Sequence, residues 1–515
     1  MTTPVLEPRG EFPTVDALAP ADPFWTASRI RAAALALVAV QLLVRGWLVA
    51  GRNYYWDDFT LLDLADRSHL LSPSFLFQDY DGQFMPGSLL LAGLVERAAP
   101  LQWWPAAGTL VGMQVLASLA LLRLLRLLLG DRPVLLVPLA FGLFTPMTLG
   151  SSMWWAAALN SMPLQIGLAW FLADAVQLSR TGRRRFAVTG TLVLALTFCF
   201  YLKAVLVPWI GVAVVAIVLF RDGQRAPVAA AWRRARALWL GSLAVTCAWA
   251  VAYVATRDDG PVGGGLPEIL ATVRTGLRTL TPVALGGPFS WALFPPGAPI
   301  GNVPGWSVGA GVVVLLGACV WTVVHLRGAS AVWALAVGTA VAGLVMAAVG
   351  RSGLGLGAAL PLAYRYFAAD SVVLAVGGAL LASLPRRAAP ADSTTHASGG
   401  TPPWAAPVVG GLTAVFVLLA AVSTLGNGRA WRNDPTGDYL DAARASLAAA
   451  GPAPLLDQSL PEDVMWGMNA PANLISHALA PLPDRPPFGI WTDDLRMLDD
   501  RGRLVPAHVA PGVRS

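Results

Sequence analysis

The chain has 515 residues, of which 56% are hydrophobic and 13% charged, with a formal net charge of +6 and a mean hydropathy of +0.59. Soluble domains carry about 25% charged residues, so this chain lacks the polar surface to cover itself in water. Its positive charge is arginine apart from the single lysine, Lys203, and it clusters between apolar blocks. That is the pattern of cytoplasmic membrane loops rather than of a nucleic-acid footprint.

Residues 1–31 are Pro-rich and mixed in charge, and read as a disordered cytoplasmic tail ending in Arg29 and Arg31. The first apolar block, Ala32–Ala50, has no small-x-small cleavage site after it and a long tail before it, which favours a retained signal anchor. It places Gly51 outside. The outer loop 51–105 opens with a polar stretch, Gly51–Gln83, holding Asp57, Asp58, Asp63, Asp66, Asp79 and Asp81. Its second part, Met85–Arg97, is apolar, led by Pro86 and too short to span, so an interfacial helix is expected.

Further spans are expected at 106–129, 133–149, 157–178, 186–202, 203–220, 237–256, 306–326, 331–349, 367–385 and 405–424, giving about eleven at roughly twenty residues each. With the N-terminus inside, the cytoplasmic loops carry Arg132, Arg180, Arg183–Arg185, Arg221, Arg225, Arg233, Arg234, Arg236, Arg327, Arg386 and Arg387. All agree in sign with the positive-inside rule, and an odd count puts the C-terminus outside. The outer loop 257–305 contains an amphipathic helix, Leu266–Leu280, with Glu268, Arg274 and Arg278 on its polar side. It continues into a Gly/Pro-rich run, 285–305. Residues 388–403 read as a flexible cytoplasmic linker. Beyond the last span, 425–515 is polar and Pro-rich, with a helix at Thr436–Ala449, a strand at Pro454–Leu456 and a hairpin at Leu495–Val509. The expected fold is an all-α polytopic membrane protein with a transmembrane domain, 32–424, and a small α+β extracytoplasmic domain, 425–515. Cys199, Cys247 and Cys319 all lie in apolar blocks, so no disulfide framework or cysteine metal site follows.

The hexapeptide Tyr54-Tyr55-Trp56-Asp57-Asp58-Phe59 carries the most chemistry. Adjacent carboxylates can hold a divalent cation, or one can act as general base while the other tunes it. A lone outer-loop aspartate is most simply solvated. Here four aromatic residues make an interfacial belt that would hold the pair near lipid headgroups. Asp79 and Asp81 form a second acidic group that could serve an acceptor or a metal, against the plainer reading of a solvated loop. Trp154 and Trp155, near Asn160, read as aromatic belt rather than as a sugar platform. His69 reads as incidental. Gln41 and Arg45, inside the first span, read as a packing pair between helices.

In this order of features the chain resembles the GT-C class of membrane glycosyltransferases, the group of protein O-mannosyltransferases, aminoarabinose transferases and arabinosyltransferases. The resemblance rests on a first span, an outer loop opening with Asp57-Asp58, an interfacial helix led by Phe84-Met85-Pro86, a multi-span bundle and a C-terminal outer domain. It covers most of 30–515. This chain lacks the Lys-Pro-Pro or His-Pro often found at the interfacial segment of that class. The resemblance implies a polyprenyl-phosphate sugar donor, an aspartate base at Asp57 or Asp58, and inversion at the anomeric centre.

Such a transfer expels a phosphate, which needs a cation to meet the developing charge, and a base opposite it for the acceptor hydroxyl. Lys203, at the expected outer junction of two spans, is one candidate; the other reading is a lysine that snorkels to the interface. Arg365-Tyr366 opens a span on the same side behind the Gly-rich loop Arg351–Gly357. It is either a phosphate fork or an interfacial anchor pair. The expected partners are therefore membrane lipids, a polyprenyl-phosphate sugar and a cell-envelope glycan, lipid or protein acceptor at the plasma membrane, with no nucleic acid. No P-loop, nucleotide-binding fingerprint or zinc motif is present, which argues against a nucleotide-sugar enzyme or an ATP-driven pump. The rival class is a transporter or flippase for a lipid-linked substrate. That class favours broken helices and ionisable groups at mid-membrane, whereas here such groups gather at the outer rim. A third reading is an inactive relative that scaffolds envelope assembly.

Overall fold

The computed structural model describes residues 25–257, 265–293, 298–350, 359–387, 405–432 and 434–508. The Gly-rich loop 351–357 and the linker 388–403 lie outside the described residues. Helix α1 (Ala27–Ala50) is followed by α2 (Asp57–Asp66), α3 (Pro73–Leu76) and a two-stranded hairpin, β1 (Asp79–Tyr80) with β2 (Gln83–Phe84). Next come α4 (Pro86–Ala98), α5 (Trp103–Leu129), α6 (Leu136–Phe144), α7 (Leu149–Met153), α8 (Trp155–Thr181), α9 (Arg185–Phe198), α10 (Val207–Arg221) and α11 (Pro227–Thr256). The chain continues through α12 (Leu266–Leu280), a hairpin of β3 (Ser290–Ala292) and β4 (Ile300–Asn302), α13 (Gly305–His325), α14 (Ala329–Gly350), α15 (Ala368–Ser383) and α16 (Ala405–Ala430). It ends in α17 (Thr436–Ala448), β5 (Leu455–Leu456), α18 (Ile475–Ala478), β6 (Phe488–Gly489), β7 (Arg496–Leu498) and β8 (Leu504–Pro506).

Among the described residues ten helical stretches are long and apolar enough to cross a membrane. The chain is thus a polytopic, all-α membrane protein. The expected eleventh span, 186–202, is the exception: α9 has 14 residues, about 21 Å of helix against a hydrocarbon core of about 30 Å. After α9 the chain turns at residues 199–201 and enters a 3-10 turn, Leu202–Leu206, that leads into α10 as part of the next apolar stretch. Most of α8 is buried at the centre of the bundle, whereas α11, α13 and α16 are mainly exposed. The exposed residues of these three include Leu243, Val251, Val313, Leu316, Leu412 and Leu418, the surface that lipid covers in place of protein.

The expected span 133–149 is broken rather than continuous. Pro146 disfavours helix at the residue before it, so α6 stops at Thr145 and a 3-10 turn, Pro146–Thr148, leads into α7. A break at this depth needs its polar groups satisfied from within the protein. Arg45 on α1 does so, donating to the Thr145 carbonyl at 3.4 Å, Thr148 Oγ1 at 3.0 Å and Ser152 Oγ at 3.1 Å. Gln41, one turn earlier, accepts from Ser118 Oγ at 3.2 Å. Both are packing contacts between helices, as expected.

Helix α11 starts ten residues before the expected span and bends at Ala235 (φ −119°, ψ 20°). Arg233, Arg234 and Arg236 therefore lie on helix rather than in a loop, which suits arginine's helical propensity. Several arginines close one end of the bundle. Arg31 and Arg126 hold Asp131, while Arg180 and Arg221 donate to the Leu127 and Leu128 carbonyls at the end of α5. The acidic hexapeptide sits at the opposite end of α1, where Trp103 at the start of α5 donates to the Val49 carbonyl at 2.9 Å.

The C-terminal elements pack onto that second end. β5 pairs with β6 in parallel and β7 with β8 antiparallel, and α17 carries Tyr439, Leu440, Ala443 and Leu447 into one apolar cluster with Tyr54, Phe59 and Trp155. The expected helix, strand and terminal hairpin are all present. Gly502, in the β7–β8 turn at φ +75°, lies so close to α17 that a Cβ there would meet the Tyr439 carbonyl oxygen.

Candidate active site

The hexapeptide is folded by its own carboxylate. Asp58 N–H donates to the Tyr55 carbonyl at 3.0 Å, and the Tyr55 N–H donates back to Asp58 Oδ2 at 2.8 Å. This reciprocal turn starts α2, where Asp57 and Asp58 also complement the positive end of the helix dipole. The second carboxylate oxygen, Asp58 Oδ1, accepts the N–H of Ala156 at 2.7 Å and so ties the loop to the start of α8. Asp58 is fully buried. Burial pushes its carboxyl well above the usual range, while the Ala156 and Tyr55 N–H groups pull it back. Its role in the structure is positional, and the two aspartates are not interchangeable.

The aromatic residues around the pair are core, not an interfacial belt. Tyr54, Tyr55 and Phe59 are buried, as are Trp154 and Trp155. Tyr54 meets Trp103 and Trp155 edge-on at 5.3 Å and 5.9 Å, and Tyr55 meets Trp154 and Trp431 edge-on at 5.0 Å and 5.4 Å. Edge-to-face rings stabilise one another beyond their buried area, and rings from five separate segments converge here, which short-range pattern does not reveal. Burial pushes the Tyr54 and Tyr55 hydroxyls upward. Trp56 sits at φ +43°, an uncommon backbone for a bulky residue. Its ring is stacked between Tyr55 at 5.1 Å and Trp466 at 5.5 Å.

Beside this cluster opens a cavity of about 890 Å³ including its mouth, lined by Asp57, Tyr80, Asp81, Gln83, Asn160, Ser161, Tyr201, Lys203, Arg365 and Tyr366. The structure thus brings Asp57, Asp81, Lys203, Arg365 and Tyr366 together from four separate stretches of chain. Asp79 is at the base of the β1–β2 hairpin, and His69 is exposed; neither lines the cavity. Lys203, on the 3-10 turn before α10, is buried and donates from Nζ to the Tyr366 carbonyl at 3.2 Å. It is not a lysine snorkelling to solvent. Arg365 lies on the 3-10 turn Tyr364–Phe367 before α15, with its guanidinium 4.0 Å over the Trp154 ring and one nitrogen 3.4 Å from Tyr366 Oη. Such stacking pre-orients the arginine fork.

Gly87 closes the site from the α4 side. Its N–H donates to the Cys199 carbonyl at 2.7 Å, and a Cβ there would stand 2.8 Å from the Phe200 ring. Only glycine lets α4 approach the segment that carries Lys203 so closely. Beside Lys203 and Tyr366 a second, small and mainly apolar recess lies between α8, α10, α14 and α15, lined by Leu164, Leu168, Leu206, Ile210 and Asp370 among others.

The pattern of residue types had marked the acids and the two cations. It had not marked Gln83 or Tyr201, whose neighbours in sequence carry no periodic signal. Nor had it marked Arg52, which is buried 3.7 Å over the Trp431 ring and paired with Asp434 at 2.7 Å. Among the described residues no group of three or more His, Cys, Asp or Glu side chains converges as a metal site. A scan against protein-family models and a comparison with curated proteins both give no match. Fold and site therefore define a polytopic membrane protein with two carboxylates, two cations and several neutral polar groups lining one cavity at one end of its bundle.

Proposed function

We propose that the protein is a membrane glycosyltransferase of GT-C type, moving a sugar from a polyprenyl-phosphate donor to a hydroxyl of a cell-envelope glycan, lipid or protein. The supporting observation is the shared cavity of Asp57, Lys203 and Arg365. In the reaction the acceptor oxygen bonds to the anomeric carbon as the bond from that carbon to the phosphate oxygen breaks. Asp57 takes the acceptor proton, and Lys203 and Arg365 balance the charge that returns to the leaving phosphate. Attack opposite the leaving group inverts the anomeric centre. On the positive-inside pattern of the arginine loops, the cavity faces outward.

A second reading has one observation in its favour: Asp370 on α15 is a buried acid within a span and lines the hollow next to Lys203, the kind of intramembrane group transporters use. A single assay separates the two. Purified protein in liposomes is given radiolabelled polyprenyl-phosphate sugars and envelope acceptors, and both sugar transfer and lipid movement across the bilayer are followed. Transfer that is lost in Asp57→Asn supports the glycosyltransferase. Lipid movement without transfer supports the transporter, and transfer untouched by Asp57→Asn sinks the site assignment.

A further inference from the structure

Among the described residues that line the cavity of Asp57, Lys203 and Arg365, Gln83 has a buried side-chain oxygen that no protein group pairs. It is 8% exposed, and its Oε1 is shielded from solvent without a hydrogen-bond partner. A buried acceptor left unsatisfied costs about 1–3 kcal/mol, and native proteins keep few of them without a reason.

The hairpin that carries Gln83 is built to hold it still. Asp81 (φ +52°) and Gly82 (φ +73°) form the two-residue turn between β1 and β2, both at positive φ as a type I′ turn requires. Tyr80 pairs with Gln83 across the strands. At the tip, Tyr253 Oη of α11 donates to the Gly82 carbonyl at 3.2 Å, and at the base Phe84 stacks on Phe77 with centroids 6.0 Å apart. Gln83 is therefore held in the wall of the same cavity as Asp57, Lys203 and Arg365.

We propose that Gln83 accepts a hydrogen bond from a hydroxyl of the donor sugar and so sets which sugar the cavity takes. The Oε1 atom can only accept, which selects a hydroxyl-bearing group over a phosphate or carboxylate. The anionic end of the ligand goes to the two cations, leaving the sugar ring to meet the hairpin. The inference rests on the glycosyltransferase reading and adds a specificity residue to it. A site built to pair a substrate hydroxyl discriminates strongly against the analogue that lacks it.

The test uses Gln83→Leu and Gln83→Glu in the full-length protein, with two readouts. In thermal melts without donor, Gln83→Leu is expected to match or exceed the wild type, because no bond to Oε1 is lost. A clear fall would show that the carboxamide holds the hairpin, and the proposal would be wrong. In transfer assays with a transferable polyprenyl-phosphate sugar and its series of monodeoxy analogues, Gln83→Leu is expected to lower kcat/KM about 10- to 100-fold for the parent. The loss should vanish for one deoxy analogue, while Gln83→Glu, which keeps an acceptor oxygen, retains more activity than Gln83→Leu. Wild-type transfer that Gln83→Leu leaves unchanged across the series overturns this inference alone. No transfer by the wild type overturns it together with the reading it rests on.

Discussion

The carboxylate of Asp58 accepts the backbone N–H of Ala156 at 2.7 Å, so the acid next to the proposed base is a strut between the first outer loop and α8. Its other oxygen is taken by Tyr55. The two aspartates should therefore fail in opposite ways. Asp57→Asn is expected to abolish transfer, by at least about 100-fold as for loss of a general base, while leaving the melting temperature close to that of the wild type. Asp58→Asn replaces one acceptor oxygen with a donor that faces a backbone N–H, and Asp58→Ala leaves two buried N–H groups unpaired. Each should cost about 2–4 kcal/mol of stability, read as a lowered melting temperature in detergent. Equal stability losses in Asp57→Asn and Asp58→Asn would show this division of roles to be false.

Arg365 and Trp154 form the second relationship with a measurable consequence. The guanidinium carbon stands 4.0 Å from the centre of the indole ring, a contact that holds its fork in place before any phosphate arrives. A lysine there keeps the charge and loses both the stacking and the bidentate geometry. Arg365→Lys is expected to raise the donor KM about 10-fold, with Trp154→Leu giving a similar rise, since a cation–π contact at a desolvated site contributes about 1–2 kcal/mol. Lys203→Met should raise KM as well, because Lys203 shares the cavity. Steady-state kinetics over a donor concentration series decides the matter, and a full rescue by lysine at 365 would contradict it.

The parts of this molecule that were legible in sequence are those fixed by local length and composition. The apolar blocks became helices at nearly the expected positions, and Leu266–Leu280 kept its expected bounds, because a helix of that length declares its polar and apolar faces. Pro86 opens α4 for the reason proline opens helices elsewhere. What stayed hidden depends on partners far along the chain. Asp57 and Asp58 are equivalent as letters, and successive helical residues point about 100° apart. Which of them is buried is decided by Ala156, 98 positions away. Trp154 and Trp155 read as a membrane belt because indole suits an interface, yet they are buried against Tyr54, Tyr55 and Trp56 from the loop before α2, and Trp103 and Trp431 pack behind those tyrosines. Gln83 carried no signal at all. Its orphaned oxygen exists only once β1 and β2 fold over the cavity.

Arg52 and Asp434 lock the end of α1 to the start of the C-terminal elements. The pair is 2.7 Å apart and nearly fully enclosed, and the Arg52 guanidinium also donates to the Trp431 carbonyl at 2.6 Å while covering its ring. Burial lowers the Arg52 pKa to about 10, which leaves it charged at neutral pH. Removing one partner strands a buried charge, so Asp434→Ala and Arg52→Ala should each cost about 3–5 kcal/mol. The double substitution should cost less than the sum of the two singles. A protease-sensitivity series on the four proteins would report release of the segment beyond residue 434, and additive effects would show that the two side chains act independently.

At the far end of the bundle, Asp131 gives a pH dependence whose sign follows from its partners. Arg31 donates to it at 2.7 Å from Nε and approaches to 2.6 Å from a terminal nitrogen, and Arg126 donates at 2.9 Å. The Arg31 hydrogen bond, with Arg126 behind it, holds this carboxyl below its usual range. A carboxyl depressed in the folded state contributes stability above its unfolded pKa, about 3.9. That contribution is lost as the pH falls through the lower folded value. Both arginines are substantially exposed, and screened pairs of this kind contribute about 0–1 kcal/mol. Asp131→Asn should therefore melt slightly below the wild type at pH 7, and the gap should narrow in high salt. As the pH falls through that lower folded value the two proteins should become indistinguishable, because the wild-type carboxyl then takes up its proton. Comparing the two at each pH cancels the titration of every other carboxylate. A gap that persists undiminished under acid would mean that Asp131 acts by packing and not by charge.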